Sequence, residues 1–226
     1  MYVIKSPTLG RAHELVIERI LKHGRYELDT EDNERTVELP EPSNIHVENP
    51  FSEYMVSKYS MYQEKFMQEY VKGLLEGSTS DFVYTYNERL FHYDGIIDQI
   101  GLVIEKLRKN PSSRRAQAIT WYPEKDATAN EPPCLQRIQY LVRDDKLNQY
   151  CEFRSNDMLM AAGANMYALV HLQKYVADDL GLAVGWYEHT SVSSHIYYKR
   201  DLEPHLMRFI DGCNLRHLEP VQNYLL

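Results

Sequence analysis

Three cysteines in 226 residues (Cys134, Cys151 and Cys213) are too few and too scattered for a disulfide framework or a Cys-x-x-Cys metal site. The nine histidines are dispersed without ligand spacing, so no metal is assigned. No apolar run approaches the roughly 20 residues a spanning helix needs. The start, Met1-Tyr2-Val3-Ile4-Lys5, does not read as a signal peptide, so a cytoplasmic location is expected. Glycine-rich phosphate loops, internal repeats, low-complexity tracts and long linkers are also missing. The formal charge of −8 argues against a general nucleic-acid binder, although local basic pockets for phosphates stay possible. With 43% hydrophobic and 26% charged residues, the length suits one sizeable core. The expected fold class is α/β (α+β): residues 1–226 as a single domain, with a large mixed or antiparallel sheet flanked by helices.

Punctuation along the chain supports that class. Ser6-Pro7-Thr8 predicts a cap before a helix with Leu9, Ala12, Leu15, Val16 and Ile20 on one stripe, ended by Gly24. Short extended pieces are expected at Thr36–Leu39 and Asn44–Val47, and a helix over Glu53–Glu76 stopping at Gly77. Phe82–Tyr86 reads as a strand. Ile96, Ile97, Ile100, Val103, Ile104 and Leu107 place a helix over 95–109. Further strands are expected at Ala116–Trp121, Gln136–Val142, Leu147–Phe153, Ala183–His189 and Ser194–Tyr198. Ala164–Leu180 reads as a helix closed by Gly181, and a short helix follows around Pro204–Ile210.

Four polar clusters and one thiol carry chemistry. Cys134 follows Glu131-Pro132-Pro133, and prolines hold the preceding chain extended. Arg154-Ser155-Asn156-Asp157 comes twenty residues later; a cysteine attacks as thiolate, which a guanidinium stabilises. A buried structural cysteine and a polar turn are the bland alternatives. Ser112-Ser113-Arg114-Arg115 pairs adjacent cations that suit an anion, or else is a solvated loop. Asn165 opens a helix, either as its cap or as an amide able to read a uracil edge. In Ser193-Ser194-His195-Ile196-Tyr197, alternation puts His195 and Tyr197 on one face, as sugar-hydroxyl ligands or structural bonds.

Taken together, Ser113-Arg114-Arg115, Pro132-Pro133-Cys134, Gln139, Arg154-Ser155 with Asp157, Asn165, and His195 with Tyr197 resemble the thymidylate synthase family in order and spacing. Tyr86 and the run from Asp94-Gly95 to Asn110-Pro111 add to the match, and the chain's shortness is similar to the compact archaeal-type branch. The resemblance implies conversion of dUMP to dTMP with 5,10-methylenetetrahydrofolate or a related methylene-tetrahydropterin. Cys134 would add to pyrimidine C6, and Tyr86 would act through water on the C5 proton. Arg154 and Ser155 would hold the phosphate, Asn165 the base, His195 and Tyr197 the 3′-hydroxyl, and Asp157 the pterin. Gln139 would support the nucleotide pocket. Arg114 and Arg115 would serve the partner's site in a homodimer joined through the sheet.

Arg35 is the candidate for a phosphate-loop arginine, with an exposed surface charge as the alternative. Glu69, or else Glu64, is the candidate for a catalytic glutamate. Departures from the family pattern are Leu135 after the nucleophile, Ala161-Ala162-Gly163-Ala164 before the base-reading amide, Asn87 after Tyr86, and Leu90. They leave a pyrimidine-nucleotide (dUMP, dCMP or CMP) 5-hydroxymethylase as the alternative activity, with water trapping the exocyclic methylene. A nucleotide-binding protein without turnover is a further reading. A cysteine hydrolase is disfavoured because no histidine has a recognisable partner role for Cys134.

Overall fold

Helix ends follow local chemistry. In the computed structural model, which describes residues 1–27, 34–77 and 85–224, the Thr8 hydroxyl accepts from the Arg11 amide to open α1 (Leu9–His23). The Gly24 amide closes it on the Ile20 carbonyl. The predicted stripe is buried, joined by Ile17 and Leu21, while Leu15 is half-buried. Helix α2 covers Glu64–Glu76 and does not begin at Glu53. The Ser57 and Ser60 hydroxyls accept from the amides of Tyr59 and Tyr62, a local alternative to helix that holds this stretch in turns.

Of the strand expected at Phe82–Tyr86, only the end can be compared. Residues 82–84 lie outside the described residues, and Tyr86 begins helix α3 (Tyr86–Phe91), capped by the Thr85 hydroxyl on the Glu88 amide. Helix α4 is Gln99–Lys109; Asp98 caps it through the Gly101 amide, so Ile96 falls in the preceding turn and is 84% exposed. Helix α5 is the single turn Pro123–Asp126.

Eight strands form one mixed sheet: β1 (Tyr2–Ser6), β2 (Arg25–Glu27), β3 (Thr36–Glu38), β4 (Ser43–Val47), β5 (Gln117–Ile119), β6 (Leu135–Arg143), β7 (Lys146–Asp157) and β8 (Ala183–Ile196). The main order is β1-β4-β8-β7-β6-β5, with β3 also on β8 and β2 on β3. β1 had no counterpart in the sequence reading. The two predicted strands after residue 183 are one strand, because Ser191 pairs with both Ser43 and Phe153 across the polar middle. Asp144 and Asp145 have φ of 51° and 57°, which makes the tight β6–β7 hairpin.

β7 and β8 run parallel and therefore need a crossover, supplied by α6 (Ala162–Leu180). Gly181 closes α6 with φ of 68°. The Gln149 and Gln173 amides donate to the Leu169 and Leu147 carbonyls at 2.8 Å, tying α6 to β7. Short helical segments at Leu202–Leu206, α7 (Met207–Gly212) and α8 (Glu219–Tyr224) complete the fold. Cross-strand partners share a face. The row Ile138, Cys151, His189, Ile45 is buried beneath the helices, and the neighbouring row Arg137, Glu152, Thr190, Asn44 is only half-buried. Among the described residues no helix is long and apolar enough to cross a membrane.

Candidate active site

Strand directions assemble the site. β6 is antiparallel to β7, which sets Cys134, just before β6, beside Arg154 near the end of β7; the Arg154 amide donates to the Cys134 carbonyl at 2.9 Å. β8 is parallel to β7, so its end arrives at the same edge, with Ser155 opposite Ser193 and Asp157 opposite His195. β7 thus continues through Asp157, three residues beyond Arg154, where the sequence suggested a strand already ended. Tyr86, at the start of α3, brings its hydroxyl oxygen to within 3.2 Å of the Leu135 amide that donates to it.

Arg154 anchors the thiol loop. Its Nε donates to the Pro133 carbonyl at 3.1 Å and its Nη2 to the Pro132 carbonyl at 2.7 Å, so both prolines present acceptors as well as stiffness. Nη2 lies 3.8 Å from Cys134 Sγ. Nothing among the described residues accepts from Nη1, which leaves guanidinium donors for an external anion. Burial pushes the Cys134 thiol above its ordinary pKa; Arg154 opposes the rise and Asp157 adds to it. Desolvation is the larger effect here, and Arg154 works against it in favour of the thiolate.

Asp157 sits at the turn into α6. Its Oδ1 accepts from the amides of Leu159 and Met160 at 3.1 and 3.0 Å, and its Oδ2 from Arg200 Nη2 at 3.0 Å. Burial raises its pKa, opposed by the Met160 amide and by Arg200. Arg200 also pairs with Asp201 and lies 4.1 Å over the Tyr197 ring. Tyr197 falls just past β8, and its ring meets that of His195 edge-on at 5.0 Å. Burial lowers the His195 pKa to about 4, so this imidazole is neutral near pH 7.

Asn165 is not the cap of α6, a place held by Ala161; it lies inside the first turn, buried, and its Oδ1 accepts from the Tyr70 hydroxyl of α2 at 2.9 Å. Tyr70 and Arg200 were missed in the sequence. An aromatic stripe of Tyr62, Phe66 and Tyr70 at four-residue spacing was a usable signal for Tyr70.

The other candidates make no hydrogen bond or ion pair to Cys134 or Arg154 among the described residues. Glu69 and Glu64 are both exposed on α2, and Glu64 Oε1 accepts from Gln68. Arg35 is exposed ahead of β3. Gln139, on the half-buried sheet face, donates to the Arg114 carbonyl at 2.9 Å. Arg114 and Arg115 are exposed and, with Lys106 and Lys109, line an open basic groove of about 910 Å³. Neither arginine has an acidic partner among the described residues. Tyr224 belongs to α8, and Leu225 and Leu226 lie outside the described residues. Among the described residues no group of three or more His, Cys, Asp or Glu side chains is placed to hold a metal ion.

A thiol, a guanidinium with spare donors, a half-buried carboxylate and a neutral imidazole thus gather at one end of the strands, with a buried amide in the first turn of the helix that follows, a set suited to covalent work on an anionic, hydrogen-bonding substrate. Residues 51–225 match the family model described as thymidylate synthase. A protein of Methanocaldococcus jannaschii is 40% identical over 221 residues, 94% of this chain and 98% of its own. Relatives from Methanococcoides burtonii and Methanosarcina barkeri are 39% and 37% identical over 198 residues, 86% of this chain and 89% of theirs. All three carry the name "Putative thymidylate synthase". A match across most of the chain, reaching through every element that builds this edge, makes the chain a member of the thymidylate synthase family.

Proposed function

We propose that this chain is a methyltransferase that converts dUMP to dTMP by reductive methylation. The observation that carries the reading is the Cys134–Arg154 pair at the sheet edge, with Asn165 in the first turn of the following helix. Arg154 Nη1 and the Ser155 hydroxyl bind the nucleotide phosphate, and His195 and Tyr197 hold the 3′-hydroxyl. A bound phosphate adds negative charge beside Arg154, so deprotonation of Cys134 is coupled to attack rather than complete beforehand. Sγ bonds to C6, the C5–C6 π pair moves toward O4, and Asn165 Nδ2 donates to that oxygen. C5 becomes the carbon nucleophile; after bond formation there, its proton leaves through water held by Tyr86 as the carrier nitrogen departs, and Sγ is expelled when hydride adds to the exocyclic carbon and the C5–C6 double bond returns.

A methylene-tetrahydropterin, when bound, supplies the one-carbon unit and, for methylation, the hydride. The residues present fit it: of the four acceptor positions on Asp157, three are used by Leu159, Met160 and Arg200, which leaves one for a pterin N–H. The half-buried sheet face, and Arg114 and Arg115 with no acidic partner among the described residues, support a homodimer, joined through that face, in which these arginines reach the partner's phosphate.

The substitutions at Ala161–Ala164 favour keeping the 5-hydroxymethylase as the second reading, since the trap depends on how dry the pocket is. Mass spectrometry of products from dUMP, dCMP and CMP with methylenetetrahydrofolate separates the two by gain of methyl or hydroxymethyl. Cys134→Ala is expected to abolish turnover while dUMP binding persists; turnover at the parent rate would refute the nucleophile.

A further inference from the structure

Helix α2 carries two glutamates suggested for the site, and both face solvent. Its polar contact with the site is made by Tyr70, whose hydroxyl donates to Asn165 Oδ1 at 2.9 Å. The Tyr70 ring is fixed from behind. It stacks on Phe66 with centroids 6.1 Å apart and planes at 12°, and Phe66 stacks on Tyr62 at 4.0 Å and 17°. Met67 of α2 and Ala164 and Tyr167 of α6 pack beneath this stripe as a small buried cluster of their own. Two helices are thereby locked together at the residue whose side chain meets the base.

We infer that Tyr70 is a positioning residue that sets the orientation of the Asn165 amide and so selects uracil over cytosine. The inference rests on the reading of Asn165 as the base contact. A carboxamide has an acceptor end and a donor end, and a flip exchanges them. With Oδ1 turned to the Tyr70 hydroxyl, one lone pair of Oδ1 remains, and nothing among the described residues accepts from Nδ2. That arrangement meets an edge with a ring N–H donor beside a carbonyl acceptor, which is uracil. Cytosine presents a ring-nitrogen acceptor beside an amine donor and needs the flipped amide. Flipping would turn Nδ2 toward the Tyr70 oxygen and exchange the bond this hydroxyl donates for a weaker one that it accepts, because the phenolic lone pair is shared with the ring. The preference contributed is therefore part of one hydrogen bond, a factor of roughly two to five in relative affinity.

The test uses Tyr70→Phe, which keeps the ring and its stack and deletes only the hydroxyl. Dissociation constants for dUMP and dCMP are measured by calorimetry on the full chain without pterin, and the ratio of kcat/KM for the two nucleotides is measured with methylenetetrahydrofolate. The expected result is a fall in the dUMP preference of roughly two- to fivefold in both readouts. A merely structural tyrosine would lower the melting temperature, or weaken both nucleotides equally, with the ratio unmoved; that result overturns the proposal. Asn165→Asp is the companion variant. If it shifts preference toward dCMP while Tyr70→Phe does not, Asn165 reads the base and Tyr70 does not orient it. An unchanged preference in both removes the base-contact reading, and the proposal falls with it.

Discussion

Replacing Arg154 by leucine tests the electrostatics of the thiol directly. The guanidinium nitrogen is 3.8 Å from Cys134 Sγ. At that distance two unit charges interact by about 1 kcal/mol in a water-like medium and by about 4 kcal/mol at an effective dielectric of 20. Both groups are part-exposed, so the low end applies, and the loss of Arg154 raises the thiol by roughly one pKa unit. The direction adds to the rise burial already causes. At a fixed pH below the midpoint the thiolate fraction falls about tenfold. The more basic thiolate is intrinsically about threefold more nucleophilic, which leaves a net slowing of roughly three- to fourfold.

The cleaner readout is the midpoint itself, taken from the pH dependence of iodoacetamide alkylation at Cys134 by peptide mass spectrometry. Parent, Arg154→Leu and Arg154→Lys are compared, and lysine is expected to recover part of the shift. Circular dichroism confirms folding, since the Pro132 and Pro133 carbonyls lose their donors. An unchanged or lowered midpoint in a folded leucine variant would refute the account of Arg154 as the cation that opposes desolvation.

Acid should destabilise the fold well above the usual carboxylate range. Burial lowers the pKa of His13 and His195 to about 4 and of His189 to about 3, against an unfolded value near 6.5. The unfolded chain binds the extra protons, so stability present above pH 6.5 is lost as pH falls toward 4, on the order of several kcal/mol. Urea unfolding at pH 7.5, 5.5 and 4.5 measures it, and a flat profile would contradict the burial. Asp126→Ala removes the carboxylate facing the buried Arg89 guanidinium, which it meets at 2.7 and 3.1 Å. The expected cost is about 3–5 kcal/mol, read as a drop in melting temperature on the order of 10 °C. Mixed dimers of Cys134→Ala with Arg114→Ala or Arg115→Ala subunits should regain activity if each arginine serves the other subunit's phosphate; inactive but intact mixed dimers would exclude the shared site.

Much of the site was legible because its residues are spaced by strand and loop lengths that sequence records. Pro132-Pro133-Cys134, Arg154 to Asp157 and His195 were read as parts of one centre, and the ends of β6, β7 and β8 bring them to one edge. Helix α1 was readable from a hydroxyl cap and a 3.6-residue stripe. The glutamate was not, since a helix wheel offers several carboxylates and only packing says which side faces a neighbour. Burial lines up Tyr70, whose apolar ring conceals a polar tip. Strand β1 escaped notice because only five residues bear it, paired with a segment about forty residues away.

Composition and local patterning alone determined the α/β class, the thiol and the cation that follows it, and the motif series carried the family resemblance, because these depend on which residues occur and how far apart they stand. Tertiary structure decided that Arg154 spends donors on proline carbonyls, that burial outweighs it at Cys134, and that Tyr70 and Arg200 meet the site. Those outcomes depend on distances between segments and on how much water each group loses, and both come into being only when the sheet and helices close on one another.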